Sequence, residues 1–420
     1  MSNRIYARYW IETAFPLAQA AETMAGEQSS GTFVRVPGET DELRNRHAAR
    51  VESIRELEPA AAPSLPGARV PKNASQYHRA EVELSWPLEN MGPSLPNLLA
   101  TVAGNLFELQ QFSGLKLLDI QLPAAFRDRY AGPQFGVAGT RRLAGVTTLP
   151  LVGTIIKPSV GLSPEETAGM VQQLADGGID FIKDDELQAN GPHNPLSARI
   201  AAVMRVINSH ADRTGKRVMF AFNITGEIDE LRRGHDLVLE HGGTCVMVSL
   251  NSTGLPGLTA LRQHSQLPIH AHRNGWGMFG RSPAIGMSFV AFQKLWRVAG
   301  IDHTHVNGLR NKFCETDESV IASARACLTP LFEGTGRGCE VMPVFSSGQW
   351  AGQAFDTYRA LQSTDLIYAC GGGIVAHPGG IAAGVRSIRA AWEGALAGRT
   401  LEQAAKESME LRQAIEMFSK

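Results

Sequence analysis

The stretch Gly177–Glu186, GGIDFIKDDE, begins as an apolar strand and ends in one lysine followed by three carboxylates. If Ile179–Lys183 is a strand, its period of two sets Ile179, Phe181, Lys183 and Asp185 on one side and Asp180, Ile182 and Asp184 on the other, with Glu186 in the turn beyond. Like charges about 4 Å apart repel by roughly 1 kcal/mol in water and about 4 kcal/mol at an effective dielectric of 20, so the cluster calls for a cation. A hard divalent metal bound through oxygen suits carboxylates best. As an ammonium, Lys183 cannot ligate a metal. It either neutralises the carboxylates as a salt-bridge partner, or its amine, deprotonated by burial, takes up CO2 as a carbamate and supplies a third oxygen beside Asp185 and Glu186. Spacing alone leaves both readings open.

Further candidates stand where other apolar runs end. Gly153–Gly161, GTIIKPSVG, places Lys157 just past a strand, as a solvated loop lysine or as a group reaching the carboxylates. Two HxH pairs, His270 with His272 and His303 with His305, each put both rings on one side of a strand. Imidazole suits zinc, so a transition-metal site is one reading. Acid–base work or anion binding fits His272, Arg273 and His305 better, and His270 and His303 read as structural histidines. Ser346–Ser347–Gly348 and Gly371–Gly372–Gly373 are turn-like, but glycines also let a backbone approach a ligand and cradle an anion with its N–H groups.

These residues act together only if a fold brings strand ends to one place. From Ala124–Leu149 onward, short apolar runs alternate with helix-sized intervals. The runs lie near Leu151–Ile156, Ile179–Ile182, Val218–Asn223, Cys245–Ser249, Pro268–His272, Asp302–His305, Glu340–Phe345 and Asp365–Cys370. Eight such runs predict a (β/α)8 TIM barrel, whose sites form where the strands end and whose phosphate sites recur after strands seven and eight. Ser163 with Glu166 makes a capping box for the first helix, and Gly380–Ala397 is amphipathic. A doubly wound sheet is the alternative, weakened by the lack of a Rossmann glycine fingerprint. Residues 1–125 read as an N-terminal ferredoxin-like α+β domain, and 126–420 as the catalytic barrel. The N-terminal elements are strands at Ile5–Glu12, Thr32–Val36, Tyr77–Trp86 and Leu115–Gln121, helices at Pro16–Glu27 and Leu98–Leu109, and an irregular loop at Pro59–Pro71.

At 420 residues with a net charge of -1, the chain has an ordinary apolar share and no basic footprint, so nucleic acid is not an expected partner. Five scattered cysteines without CxxC spacing argue for a reducing cytoplasm and against structural zinc. MSNRIYARYW has no apolar signal core, and no run approaches about 18 apolar residues. A cytoplasmic chain with no membrane partner is expected.

The residues quoted resemble one superfamily across nearly the whole chain, the large subunit of ribulose-bisphosphate carboxylase (RuBisCO) and its relatives, with GGIDFIKDDE the most specific element. The resemblance implies an obligate homodimer with shared active sites and a phosphorylated small-molecule substrate. It implies Mg2+ held by Asp185, Glu186 and Lys183 as a carbamate formed with CO2. Lys157 is then similar to the lysine that handles the enolisation proton, His272 to the catalytic histidine, and Lys312 to the mobile-loop lysine. Arg273 and His305 resemble one phosphate-side cluster, and Ser346, Gly348, Gly371 and Gly372 resemble substrate hydroxyl and phosphate contacts. Glu27, Thr32 and Asn105 match residues donated across the dimer.

Several positions depart from the carboxylase pattern. Ser159 stands where a second lysine follows the lysine-proline, Phe33 replaces a tryptophan, NGLRNK lacks the glycine before its lysine, and Ser347 interrupts the usual SGG. The chain also ends soon after the barrel, without the tail that helps hold the closed loop. These changes impair gas addition more than enolate formation, so the chain reads as a RuBisCO-like protein that does not carboxylate ribulose bisphosphate. Expected instead is Mg-dependent enolate chemistry, foremost decarboxylation of a branched 3-oxo sugar-acid phosphate of the 3-oxo-isoapionate-4-phosphate type. An enolase or isomerase of methionine-salvage type is the alternative, disfavoured because Asn105 stands where those relatives use a lysine base. A non-catalytic scaffold dimer is the third reading, against which the clustered charges speak.

Overall fold

The computed structural model describes residues 3–30, 36–334 and 336–419. Two compact units separate. One comprises Met1–Ala131, Gly275–Val298 and Leu331–Gly338, and the other Gly132–Asn274, Ala299–Pro330 and Cys339–Lys420. In chain order the strands begin with β1 (Arg4–Thr13), β2 (Arg50–Ala60), β3 (Tyr77–Pro87), β4 (Phe112–Gln121), β5 (Leu151–Ile155), β6 (Phe181–Lys183) and β7 (Met219–Asn223). They continue with β8 (Cys245–Ser249), β9 (Ile269–His272), β10 (Ile285–Met287), β11 (His303–His305), β12 (Met342–Phe345) and β13 (Ile367–Ala369).

In the first unit β4-β1-β3-β2 is an antiparallel sheet in ferredoxin-like order, and β10 adds a fifth, parallel strand beside β4. Ile5, Ala7, Tyr9 and Ile11 alternate into the core along β1. The helix Leu17–Glu27 buries Ala20, Ala21, Met24 and Ala25, and Tyr9 Oη donates to the Val102 carbonyl at 2.7 Å, tying helix Leu95–Ala103 to β1. That second helix stops at Gly104, and Asn105–Glu108 forms a 3-10 turn, so the helix expected to Leu109 is shorter and starts earlier. Pro59 and Ala60 complete β2, so the irregular loop begins after them. The loop is pinned through Glu12, fully buried in β1, which accepts from Ser64 N at 2.6 Å and Arg79 Nε at 2.7 Å. The strand expected at Thr32–Val36 falls mostly on residues outside the described set.

The second unit is a closed barrel of eight parallel strands, β11-β12-β13-β5-β6-β7-β8-β9, with each strand at the segment the apolar runs marked. Every residue of β7 and β8 is buried, as a strand covered on both faces requires. The barrel interior is filled by Leu151, Phe181, Met219, Met247, Met342 and Val344 among others. Gly153 is small because Phe181 fills the space beside it: a Cβ there would meet Ile367 at 2.9 Å and Phe181 at 3.2 Å. The helix Pro164–Asp176 carries the Ser163–Glu166 capping box in both directions. No helix among the described residues is long and apolar enough to cross a membrane.

Candidate active site

The end of β6 follows the alternation read from its sequence. Lys183 is fully buried, and its Nζ donates to the Asp184 carbonyl at 2.7 Å and to Glu186 Oε2 at 3.3 Å. Burial pulls its pKa below the usual lysine range, against the raising effect of Glu186 and Asp185. Asp184 turns the other way. Its Oδ2 accepts from Arg199 Nε at 3.1 Å and from Asn223 N at 2.9 Å, with both charged side chains buried. Asn223 Nδ2 also donates to the carbonyls of Asp185 and Glu186, each at 3.2 Å, and so shapes the turn that carries them.

Lys157, at the end of β5, donates to Asp185 Oδ2 at 2.6 Å and to Ser159 Oγ at 2.8 Å. Two ammonium groups, Lys157 on Asp185 and Lys183 on Glu186, thus supply the positive charge that the carboxylates demand. Lys183 makes the salt bridge of the first sequence reading. The donor set is all oxygen once Lys183 carries a carbamate, and burial eases loss of the proton that must leave before the amine can react with CO2. These residues fit a hard cation.

His272, closing β9, has Nε2 3.4 Å from Glu186 Oε2, and its Nδ1 accepts from Asn274 N at 3.2 Å. Nδ1 is therefore unprotonated and Nε2 carries the proton of a neutral ring. Burial first, then the Lys183 charge, lowers its pKa. Burial raises the Glu186 carboxyl, but the charge His272 carries when protonated, the Lys183 charge and hydrogen bonds outweigh that and hold it below the usual range. A relay runs from Ser346 Oγ to His305 Nδ1 at 2.8 Å and from His305 Nε2 to His270 Nε2 at 2.9 Å. His303 Nε2 meets Thr140 Oγ1 at 2.8 Å; Thr140 donates to the Gly136 carbonyl, so the ring is the donor. The HxH rings pair with one another and with hydroxyls rather than converge as zinc ligands.

Arg273 pairs with Glu315, which sequence reading missed: a single carboxylate in a polar loop carries no pattern. Asn307 and Ser347, at the ends of β11 and β12, both hold left-handed backbone (φ 64 and 71), and Ser347 Oγ donates to Asn307 Oδ1 at 2.8 Å. Lys312 is exposed; its backbone N donates to the Ser347 carbonyl at 3.3 Å, and its Nζ lies 5.3 Å from the centre of the Phe313 ring. Gly348 needs its glycine for φ 85, and Gly373 lacks room for a Cβ beside Gln349 and Trp350. Gly371 and Gly372 have ordinary φ and open space: a Cβ would meet only Ile155 at 3.7 Å at the first and nothing within 4 Å at the second. Among the described residues, no atom crowds those two glycines.

In the first unit, exposed Glu27 ends its helix and exposed Asn105 opens the 3-10 turn. With its amide turned to match the surrounding donors and acceptors, Gln28 accepts from Asn105 N at 3.0 Å and donates to the Ala100 carbonyl at 3.1 Å. Thr32 lies outside the described residues. A cavity of about 600 Å³ opens before β5, β6 and β7, lined by Arg142, Asp180, Lys216, Arg217 and Arg389, and holds none of the predicted site residues. Among the described residues, the three side chains able to converge on a metal without Lys183 are His235, Asp236 and His264. His235 Nε2 accepts from Gln266 N at 3.1 Å, so its proton sits on Nδ1 toward Asp236 and occupies the ligand position.

An eight-stranded barrel with lysines and carboxylates joined across the ends of its first two strands, in a chain that also carries a ferredoxin-like sheet, defines the RuBisCO large-chain class. Residues 3–126 match the ribulose bisphosphate carboxylase large chain N-terminal domain and residues 136–418 its catalytic domain. The chain belongs to this family. It is 58% identical to the 3-oxo-isoapionate-4-phosphate transcarboxylase/hydrolase of Xanthobacter autotrophicus, over 99% of each chain. It is 48% identical to the 3-oxo-isoapionate-4-phosphate decarboxylase of Rhizobium rhizogenes, over 98% of this chain and 97% of that one. Among solved structures, a rubisco-like protein from Burkholderia fungorum superposes with a TM-score of 0.92 at 48% identity, covering 99% of this chain and 100% of that chain.

Proposed function

We propose that this chain is a Mg2+-dependent enzyme that forms an enediolate from a phosphorylated 3-oxo sugar acid of the 3-oxo-isoapionate-4-phosphate type. The observation that carries this reading is the joining of Lys183, Asp185, Glu186, Lys157 and His272 in a chain about half identical to relatives named for that substrate.

Mg2+, with CO2 as the Lys183 carbamate, would be held by Asp185, Glu186 and Lys183. When bound it supplies Lewis acidity that lowers the cost of negative charge on neighbouring oxygens. The remaining chemistry belongs to the chain. Breaking the bond between the carboxyl and the α-carbon releases CO2 and leaves its electron pair in the enediolate. Lys157, oriented between Asp185 and Ser159, would return a proton to that carbon and complete a decarboxylation. His272 offers Nε2–H as a neutral donor toward the same region. Gly371 and Gly372, which no packing explains, suit the phosphate, together with Lys312. Glu27, Thr32 and Asn105 would come from the partner in a homodimer with shared active sites.

The 58% identity to a transcarboxylase/hydrolase favours a second ending, in which the other enediolate carbon attacks CO2 before protonation and water then cleaves the product. Substrate labelled with 13C in its carboxyl group, incubated with enzyme and Mg2+ in D2O, distinguishes the two. Label in CO2 with deuterium in a ketose phosphate marks decarboxylation, and label in a carboxylate product marks transfer. Unchanged substrate overturns the proposal.

A further inference from the structure

Arg273 extends from the end of β9, and the side chain it meets is a carboxylate of this same chain. Glu315 Oε2 accepts from Arg273 Nη2 and from Asn307 Nδ2 at 2.7 Å, and Oε1 accepts from Ser319 Oγ at 2.9 Å. The Arg273 and Glu315 side chains are only 7% and 13% exposed. The carboxylate is held from several directions. Its own carbonyl accepts from Asn311 Nδ2 at 3.1 Å, and the next residue, Thr316, caps the helix Asp317–Leu328. Asn307 is fixed in turn by its left-handed backbone and its bond from Ser347.

An anion arriving at Arg273 would meet a buried carboxylate whose two oxygens already hold charged and neutral donors. It would have to displace those bonds or lie beside a like charge in a poorly solvated place. At Gly371 and Gly372 the backbone is open, and no side chain fills the space a Cβ would take. The two ends of the barrel mouth therefore differ: one leaves its glycine backbone open and the other is neutralised from within. We propose that Glu315 closes the anion position at Arg273 and makes the site selective for substrates with one phosphate, whose other end carries hydroxyls rather than a second dianion. This rests on the sugar-phosphate reading above and adds a specificity-determining residue to it.

The test is calorimetric titration of the full chain, with Mg2+ and bicarbonate present, using ribulose 5-phosphate and ribulose 1,5-bisphosphate as probes. The wild type is expected to bind the bisphosphate no more tightly than the monophosphate. Glu315→Gln keeps the shape and removes the charge; it should tighten the bisphosphate by about tenfold or more and leave the monophosphate within about twofold. A wild type that prefers the bisphosphate by about tenfold overturns the inference without recourse to any variant. Equal tightening of both probes by Glu315→Gln also overturns it, marking Glu315 as a latch that any ligand displaces. Monophosphate binding with no bisphosphate gain in the variant defeats the role of Glu315 alone. If the wild type binds neither probe, the sugar-phosphate reading falls and this inference with it.

Discussion

Lys157 Nζ lies 2.6 Å from Asp185 Oδ2, an ion pair that bridges the ends of the barrel's first and second strands. Asp185 is buried while the lysine side chain keeps 40% of its exposure, so the contact joins an interior carboxylate to a rim amine that a substrate can reach. The amine's second partner is the Ser159 hydroxyl, where the carboxylase pattern has an ammonium. The amine is thereby oriented by one charged and one neutral acceptor, an arrangement suited to handling a single proton.

Lys157→Met should cut kcat by about 10²- to 10⁴-fold, the range for loss of a positioned acid or base, with a smaller change in KM. Deuterium incorporation from D2O should fall in parallel. A variant with near wild-type kcat would remove Lys157 from the chemistry.

For Lys183, the prediction concerns binding as well as rate. If Mg2+ and CO2 bind only the folded state, they raise its stability, by about 2.7 kcal/mol at a hundred times Kd. Mg2+ and bicarbonate together should raise Tm, and Lys183→Met, which nearly preserves the buried volume, should abolish that rise. An unchanged shift would show that the ion is held elsewhere.

A pH dependence follows from the histidines under the barrel mouth. Burial lowers His303 to about 3 and takes His270 and His305 well below the ordinary value. With folded pKa values below the unfolded ~6.5, these groups contribute stability fully above that pH and lose it as pH falls toward the folded values, at up to about 1.4 kcal/mol per pH unit each. Unfolding free energy measured by denaturant titration should decline steadily from pH 6.5 to pH 4.5. His303→Gln should flatten that slope, and an unaltered slope would mean that the ring is not protonated on unfolding.

The buried pair Arg199–Asp184 supports the same strand end from behind. Arg199→Met leaves Asp184 uncompensated and should cost about 3–5 kcal/mol, much of it recovered by adding Asp184→Asn. Equal stability of the single and double variants, read from denaturant midpoints, would rule out the uncompensated charge as the cause.

The barrel was legible because most of its strands are short apolar runs covered on both faces, and β6 announces its end with four consecutive charges, although β11 reads His-Thr-His. β2 was not. Its apolar residues Val51, Ile54 and Leu57 recur every third position, a spacing that reads as neither strand nor long helix. Register shifts between Val51 and Ser53 and between Leu57 and Ala60 absorb the mismatch with β3. β10 spans only Ile285–Met287, too short for any period to show, and is a strand only by virtue of β4. Likewise Glu315 gains its role from Arg273 and Asn307, and no local spacing links the three. Lys183 and its carboxylates were visible because one strand end supplies them all. Asn223 and Arg199, which hold that group in place, and Asn274, which orients His272, come from other elements and emerge only from tertiary structure.

The placement of β10 also bears on synthesis. Translation delivers β1 to β4 first, and apart from the Leu65 N–H that donates to the Ser113 carbonyl, β4 has no neighbouring strand on its outer side until Ile285–Met287 leave the ribosome, after β5 to β9 have been made. Through that interval the nascent sheet presents unpaired backbone groups to whatever strand diffuses by. Completion of the earlier unit is thus timed by the later one, and a fragment ended at Ala131 would keep that edge bare permanently.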